Sequence, residues 1–249
     1  MLKIFETEEE LAKTVATEML AQLKEEAQPT FCLAAGGTTS SALQMFAAQA
    51  KDLPELSKFN FVSLDEWVGV PSDMIGTCYQ MLNDDLFKRL PLKDNQVTFF
   101  QTKDRELSLE CAKLDKVIAQ SPITYSLMGV GMNGHIGLNE PGMPILAQAS
   151  LVELSETTKR VMQKYFTEEV NLQQGISLGL GQLVKSKRMV VALIGEHKAE
   201  IAKKILEEPE ANLPAQYFLN REHVDFYLDQ AAASQLNYTI LPAKRTLQR

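Results

Sequence analysis

Cysteine, histidine and tryptophan are scarce in this chain: three Cys, three His and one Trp among 249 residues. The thiols, Cys32, Cys78 and Cys111, are odd in number and widely spaced. That argues against a disulfide framework and suits a reducing compartment. No C-x-x-C or H-x-x-x-H pair exists, so no metal site is expected. No apolar run reaches membrane-spanning length, and the charged segment from Met1 to Glu10 has no signal-peptide core. The expected location is therefore cytoplasmic, without a membrane partner. Acidic residues exceed basic ones, 25 − 32 = −7. This argues against a broad nucleic-acid surface and leaves room only for a small anion held in a local pocket of donors. Linkers, repeats and low-complexity tracts are also missing. Residues 1–249 are read as one domain, long enough to bury roughly 70–75% of its unfolded surface.

What is present is an alternation of strands and helices. Thr7-Glu8-Glu9-Glu10 has the form of a capping box, and Leu11, Val15, Met19 and Leu23 then recur every four residues. Strands are expected over 30–35, 61–64, 97–100, 123–128, 189–194 and 224–228. Helices are expected over 40–50, 77–90, 104–119 and 196–206, the third with Leu107, Cys111, Leu114 and Ile118 on one face. This order predicts an α/β fold with a mostly parallel sheet and helices on both faces. The polar stretch 155–174 reads as a helical excursion from that core, such as a lid.

Ligands of open α/β sheets bind beyond the carboxyl ends of the strands, so four loops matter. Gly36-Gly37-Thr38-Thr39 lies between strand and helix. It suits a phosphate cradle of free N–H groups, or a tight turn with a Thr/Ser cap. Asp65 and Glu66 stand together at a strand end beside Trp67. A partly desolvated carboxylate there suits a general base; the alternative is a cap or a surface acidic pair. The third loop, Gly129 to Gly142, contains G-x-G-x-x-G at Gly129, Gly131 and Gly134. It is not a dinucleotide fingerprint, because Gly137, Pro141 and Gly142 prevent the helix that must follow at once. It holds His135, a natural proton carrier near neutral pH, with Glu140 nearby to fix its tautomer and favour its charge. In the fourth loop Lys198 falls in the first turn of a helix, where the dipole disfavours it, so either an anion lies close or the lysine is solvated. Gly175-Ile176-Ser177-Leu178-Gly179 matches the nucleophile elbow. It is dismissed because residues 171–174 are polar and no His follows Asp225 or Asp229.

Together, Leu33–Thr39 (LAAGGTT), Leu64–Pro71 (LDEWVGVP), Gly129–Gly142 (GVGMNGHIGLNEPG), Gly175–Val184 (GISLGLGQLV) and Leu193–Ala199 (LIGEHKA) resemble, in order and spacing, the glucosamine-6-phosphate deaminase/isomerase family, related to 6-phosphogluconolactonase. The resemblance implies a Rossmann-like fold with a helical lid, placed at about 143–174, and no metal or organic cofactor. It implies conversion of a phosphorylated amino sugar and water to a ketose 6-phosphate and ammonia. Asp65 takes the position of the base that moves a proton between C2 and C1. His135 takes that of the ring-opening group, and Glu140 that of the carboxylate that orients and charges it. Gly36, Gly37 and Thr38 fall on the phosphate loop and Lys198 on its basic anchor. Lys164 stands in for a phosphate-anchoring arginine.

One departure is Asn133, where such deaminases usually carry Asp two residues before the His. Asn cannot ionise, though it can still orient a neighbour. The N-G-H-I-G-L-N-E-P-G string, with Gly76-Thr77-Cys78, resembles the galactosamine-6-phosphate isomerase branch. Galactosamine 6-phosphate is therefore the favoured substrate and glucosamine 6-phosphate its competitor. A lactonase is disfavoured because Asn139-Glu140-Pro141-Gly142 follows the His. A non-catalytic sugar-phosphate sensor is disfavoured because Asp65, His135 and Glu140 are intact and the first strand and helix begin at Met1, with no DNA-binding segment ahead of them. Monomer and homo-oligomer both remain open.

Overall fold

The computed structural model describes residues 1–103 and 106–237. Seven parallel strands form the main sheet: β1 (Leu2–Phe5), β2 (Thr30–Leu33), β3 (Asn60–Ser63), β5 (Val97–Thr98), β6 (Tyr125–Gly129), β9 (Arg188–Leu193) and β10 (Val224–Asp229). Their order is β1-β10-β9-β6-β2-β3-β5. Chain order runs outward from β2 through β3 to β5, then crosses back to β6 on the other side. The switch point therefore lies between β2 and β6, which pair with Leu33 opposite Leu127.

Strand alternation sorts the core into two layers. Phe31 and Leu33 face α1 (Glu8–Glu25) and α2 (Gly37–Ala50), packing with Leu11, Val15, Met19, Leu23 and Phe46. Cys32, Val62, Met128 and Val191 face the opposite layer. That layer holds Leu114 of α4 (Leu107–Gln120), Leu183 of α6 (Leu180–Leu183), and Ile201 and Ile205 of α7 (Ala199–Glu207). This is the expected mostly parallel sheet with helices on both faces. The α1 stripe is buried as its spacing predicts. Thr7 Oγ1 accepts the Glu10 N–H, but Glu10 returns its bond to the Glu6 N–H rather than to Thr7, so the reciprocal box is shifted by one residue.

Several boundaries move. β2 stops at Leu33, and α2 starts at Gly37 instead of Ser40 because Gly36, at φ +112, turns the chain sharply. The helix after Thr77 is α3 (Cys78–Asp85), continued only by a 3-10 turn at Phe87–Arg89. The expected helix start at Asp104 lies outside the described residues, as does the stretch 238–249 of the single-domain reading.

A second sheet was not anticipated. β4 (Asp65–Trp67), β8 (Gln174–Ser177) and β7 (Ser150–Glu153) form three antiparallel strands in the order β4-β8-β7. They are short and carry polar residues, so no apolar period announces them. Their core is separate: Trp67, Leu138, Val152, Leu154, Phe166 and Leu172. The segment 143–174 is thus less helical than expected. Beyond β7 it contains α5 (Glu156–Met162) and a 3-10 turn at Gln163–Tyr165, then extended chain.

This sheet also corrects the reason for dismissing Ser177. A strand does precede it, with Gly175 and Ile176 buried. Ser177 nevertheless lies inside the strand. Its Oγ accepts the Leu138 N–H at 3.1 Å and the Asn139 side-chain amide at 3.4 Å, which locks the Gly-rich loop to β8. Ser177→Ala should cost about 1–3 kcal/mol, because Leu138 would keep a buried N–H with no acceptor. Urea unfolding midpoints at an unchanged m-value check this.

Candidate functional site

One pocket opens beyond the carboxyl ends of β2 and β6, at the switch point. Gly36, Gly37, Thr38, Asp65, His135, Lys164 and Lys198 all line it. Five loops distant in sequence therefore meet there. Asn133 and Glu140 do not line it; they stand behind His135, joined to it by hydrogen bonds.

His135 is buried at 7% exposure. Its ring lies flat on Gly131, where a Cβ would overlap it at 2.1–2.3 Å. That contact explains the middle glycine of the false dinucleotide string: it seats an imidazole. Nδ1 lies 2.8 Å from Asn133 Oδ1 and 3.2 Å from Thr158 Oγ1. The Asn133 amide donates from Nδ2 to Glu140 Oε2 at 2.7 Å and to Ser155 Oγ at 3.0 Å. A carboxylate only accepts, so the amide oxygen must face the imidazole and Nδ1 must carry the proton. The Nε2 lone pair is then left free for chemistry.

Glu140 does not touch the ring directly; its Oε2 is 3.8 Å from Nδ1. Burial pushes Glu140 upward, yet His135 and the donors from Thr158, Asn133 and the Ser155 N–H hold it below the usual range. Burial dominates at His135 and lowers it to about 4, with Glu140 pulling upward and Lys198 downward. Two influences on the His135 charge thus oppose each other: desolvation disfavours it, and one carboxylate reached through an amide favours it.

Asp65 and Glu66 have separate roles, since neighbours on β4 point to opposite faces. Glu66 accepts backbone N–H bonds from Trp67 (2.9 Å), Cys78 (3.0 Å) and Tyr79 (2.8 Å), and so fastens the N-terminus of α3. Burial raises its carboxyl to about 7 against those three donors. Asp65 faces the pocket. Burial lifts it from 3.8 to about 7, with the Cys78 thiol pulling downward. A carboxylate of that basicity is matched to proton abstraction near neutral pH.

The other end of the pocket is cationic and rich in donors. Thr39 and Ser40 give their N–H groups to Gly36 O, which leaves those of Gly37 and Thr38 at the start of α2 without a backbone acceptor. Lys198 is 8% exposed; its Nζ donates to Val130 O at 2.6 Å. Burial and then Lys164 lower it to about 8. Lys164 lies in the 3-10 turn after α5, with its ammonium 5.0 Å from the Tyr165 ring centre.

Thr158, Ser155, Tyr165 and Gly131 were missed from sequence. Ser155 caps α5 by accepting the Thr158 N–H, a signal readable as S-x-x-T before a helix. What tied it to His135 was not readable. Tyr165 brings its hydroxyl against Gly36, where a Cβ would lie 3.3 Å away.

Known proteins are similar to this chain in sequence and in architecture. The model of the glucosamine-6-phosphate isomerases/6-phosphogluconolactonase family matches residues 5–227. A glucosamine-6-phosphate deaminase of Bacillus cereus (strain B4264) is 30% identical over 244 residues, covering 97% of this chain and 91% of the relative. One from Bacillus thuringiensis (strain Al Hakam) matches to the same extent. Among solved structures, a monomeric glucosamine-6-phosphate deaminase superposes with a TM-score of 0.88 at 26% identity, over 95% of this chain and 100% of that one. The 6-phosphogluconolactonase of Trypanosoma brucei shares the fold, with a TM-score of 0.72 at 20% identity over 95% and 98% of the two chains.

Two variants test this geometry. Gly131→Ala should displace the imidazole, and the nitrogen NMR shifts of His135 should lose the single Nδ1–H tautomer pattern. Asp65→Asn should stabilise the fold at about pH 8 by roughly 1–3 kcal/mol, because ionising the buried carboxyl costs about 4 kcal/mol for its upward shift. The gain should fade as pH falls from about 7 toward 4, where Asp65 becomes neutral, and pH-dependent melting measures it.

Proposed function

Because the chain belongs to the family of glucosamine-6-phosphate isomerases and 6-phosphogluconolactonases, we propose that it is an amino-sugar-6-phosphate isomerase/deaminase. The observation that carries this reading is the pairing, in one pocket, of the buried Asp65 carboxyl with a His135 whose tautomer is fixed through Asn133. A lactone hydrolysis needs no second base of that kind. The residues 1–249 are taken as one domain, with 143–174 as its lid.

In the mechanism, the N–H groups of Gly37 and Thr38, with Lys198 and Lys164, hold the phosphate at one end. That remote binding energy positions the reacting carbons at the other. His135 Nε2 takes the proton of the anomeric hydroxyl and returns it to the ring oxygen as the C1–O5 bond breaks. Asp65 removes the C2 proton while the substrate's own ammonium passes a proton to O1, leaving an enaminol; Asp65 then delivers its proton to C1, which leaves a protonated imine at C2. The imine so formed at C2 adds water and loses ammonia, giving the ketose 6-phosphate. Glu140 and Asn133 keep His135 in the required tautomer throughout.

Galactosamine 6-phosphate is the proposed preferred substrate. The support is Asn133 within the N-G-H-I-G-L-N-E-P-G string and the Gly76-Thr77-Cys78 turn. The relatives named as glucosamine-6-phosphate deaminases support the gluco epimer as competitor. Every residue in the scheme comes from one chain, so a monomer suffices and a homo-oligomer is compatible. The cytoplasm is the proposed location, on the strength of three free thiols. No helix among the described residues is long and apolar enough to cross a membrane.

Ammonia release from the two hexosamine 6-phosphates, measured side by side, tests the reading. Release from the galacto epimer at the higher kcat/KM is expected; release from neither would sink it in favour of a lactonase or a sensor. Asp65→Asn should abolish turnover while sugar-phosphate binding survives. The pH profile of kcat/KM should fall about tenfold per unit below about pH 7, as Asp65 takes up a proton. It should fall again above about pH 8, where unliganded Lys198 loses its charge.

A further inference from the structure

Asp65 is buried among groups from several elements. Cys78 reaches it from α3, and the Cys32 thiol of β2 is pushed upward by burial and by the charge of Asp65. Glu66 follows it on β4, with its carboxylate turned to the N–H groups of α3. His135, Lys198 and Lys164 line the same pocket. Among the described residues, the Cys78 thiol is the one side chain that hydrogen-bonds the Asp65 carboxylate, with Sγ 3.5 Å from Oδ1.

The thiol is held in place from all sides. Cys78 is the first residue of α3, and its N–H is bound by Glu66 Oε1 at 3.0 Å. Thr77, fully buried, caps the helix and ties its hydroxyl to Ser72 O and Met74 O. The Trp67 indole donates to Gly76 O at 3.2 Å, closing the turn against β4. Burial, followed by the charges of Asp65 and Glu66, keeps the thiol well above its ordinary range. It therefore stays an S–H and serves as a donor.

We propose that Cys78 is a positioning residue for the reaction. Its thiol donates to Asp65 Oδ1, fixes the carboxylate plane, stabilises the charged form, and leaves Oδ2 as the oxygen that takes the substrate proton. This rests on Asp65 being the base. It gives the Gly76-Thr77-Cys78 turn a chemical role, because the same helix end fastens both acids of β4, Glu66 chiefly through backbone N–H groups and Asp65 through the thiol, which Glu66 also influences. A thiol suits the position better than a stronger donor. It restrains the carboxylate but takes little from its basicity, since S–H bonds are weak.

The test compares kcat/KM against pH for the wild type, Cys78→Ala and Cys78→Ser with a hexosamine 6-phosphate. Alanine removes the donor and should move the acid limb upward by roughly half to one pH unit. That is a loss of about three- to tenfold near pH 6.5, with little loss near pH 8.5. Serine restores a donor and should return the limb to the wild-type position or below it. An unmoved limb in the alanine variant, or equal upward shifts in both, overturns the proposal. The infrared S–H band supplies a readout that needs no turnover. The band lost in either Cys78 variant should shift in the wild type as pH crosses about 7, and stay still in Asp65→Asn. A band indifferent to pH in the wild type overturns the pairing. A titrating band in a chain that releases no ammonia supports the pairing and removes the deaminase reading instead.

Discussion

The amide of Asn133 sits between a carboxylate that can only accept and an imidazole that must then donate. That single constraint sets most of the site. It orders Glu140, Asn133 and His135 into one line of hydrogen bonds and leaves Nε2 as the unprotonated nitrogen. Through Ser155 and Thr158 the same line reaches the first turn of α5, so the helix that leads into the turn holding Lys164 and Tyr165 is tied at its near end to the His135 imidazole. An aspartate at 133 would face Glu140 across the 2.7 Å now spanned by an N–H donor, and the two carboxylates would have to share a proton. Asn transmits orientation without that conflict, and the cost is a ring less easily charged.

Burial is the common cause of the site's electrostatics. It lifts Asp65, lowers His135 and lowers Lys198, in each case toward the neutral form. Asp65 and Lys198 are thereby brought to exchange protons close to neutral pH, at a cost to stability. The chain tolerates this because the main sheet packs two extensive apolar layers away from the pocket. The small antiparallel sheet has its own modest core. It carries Asp65 on β4 and is locked to the Gly-rich loop by Ser177, so the Asp65 carboxyl and the imidazole are positioned by one substructure.

The resemblance to known deaminases supplied the roles of Asp65, His135 and Glu140, and the structure supplied the relation among them. The low histidine count already singled out His135, and the Gly-rich, helix-breaking loop around it already excluded a dinucleotide site. The seat on Gly131, the bridging amide and the thiol at Asp65 involve contacts between residues whose types are individually unremarkable. Nothing in their spacing marks them.

The sequence by itself determined the architecture: apolar runs of four to six residues can only be strands buried on both faces, and a period near four places α1 on one of them. It also determined where chemistry could lie, because glycine-rich turns after such strands expose backbone at a sheet's carboxyl edge. Only the tertiary structure decided which of two adjacent acids faces the pocket, how the His135 ring is held, and that residues near 65, 150 and 175 form a second sheet. These depend on desolvation and on pairing between distant segments. Both are properties of the folded surroundings, and a local pattern of side chains does not encode them.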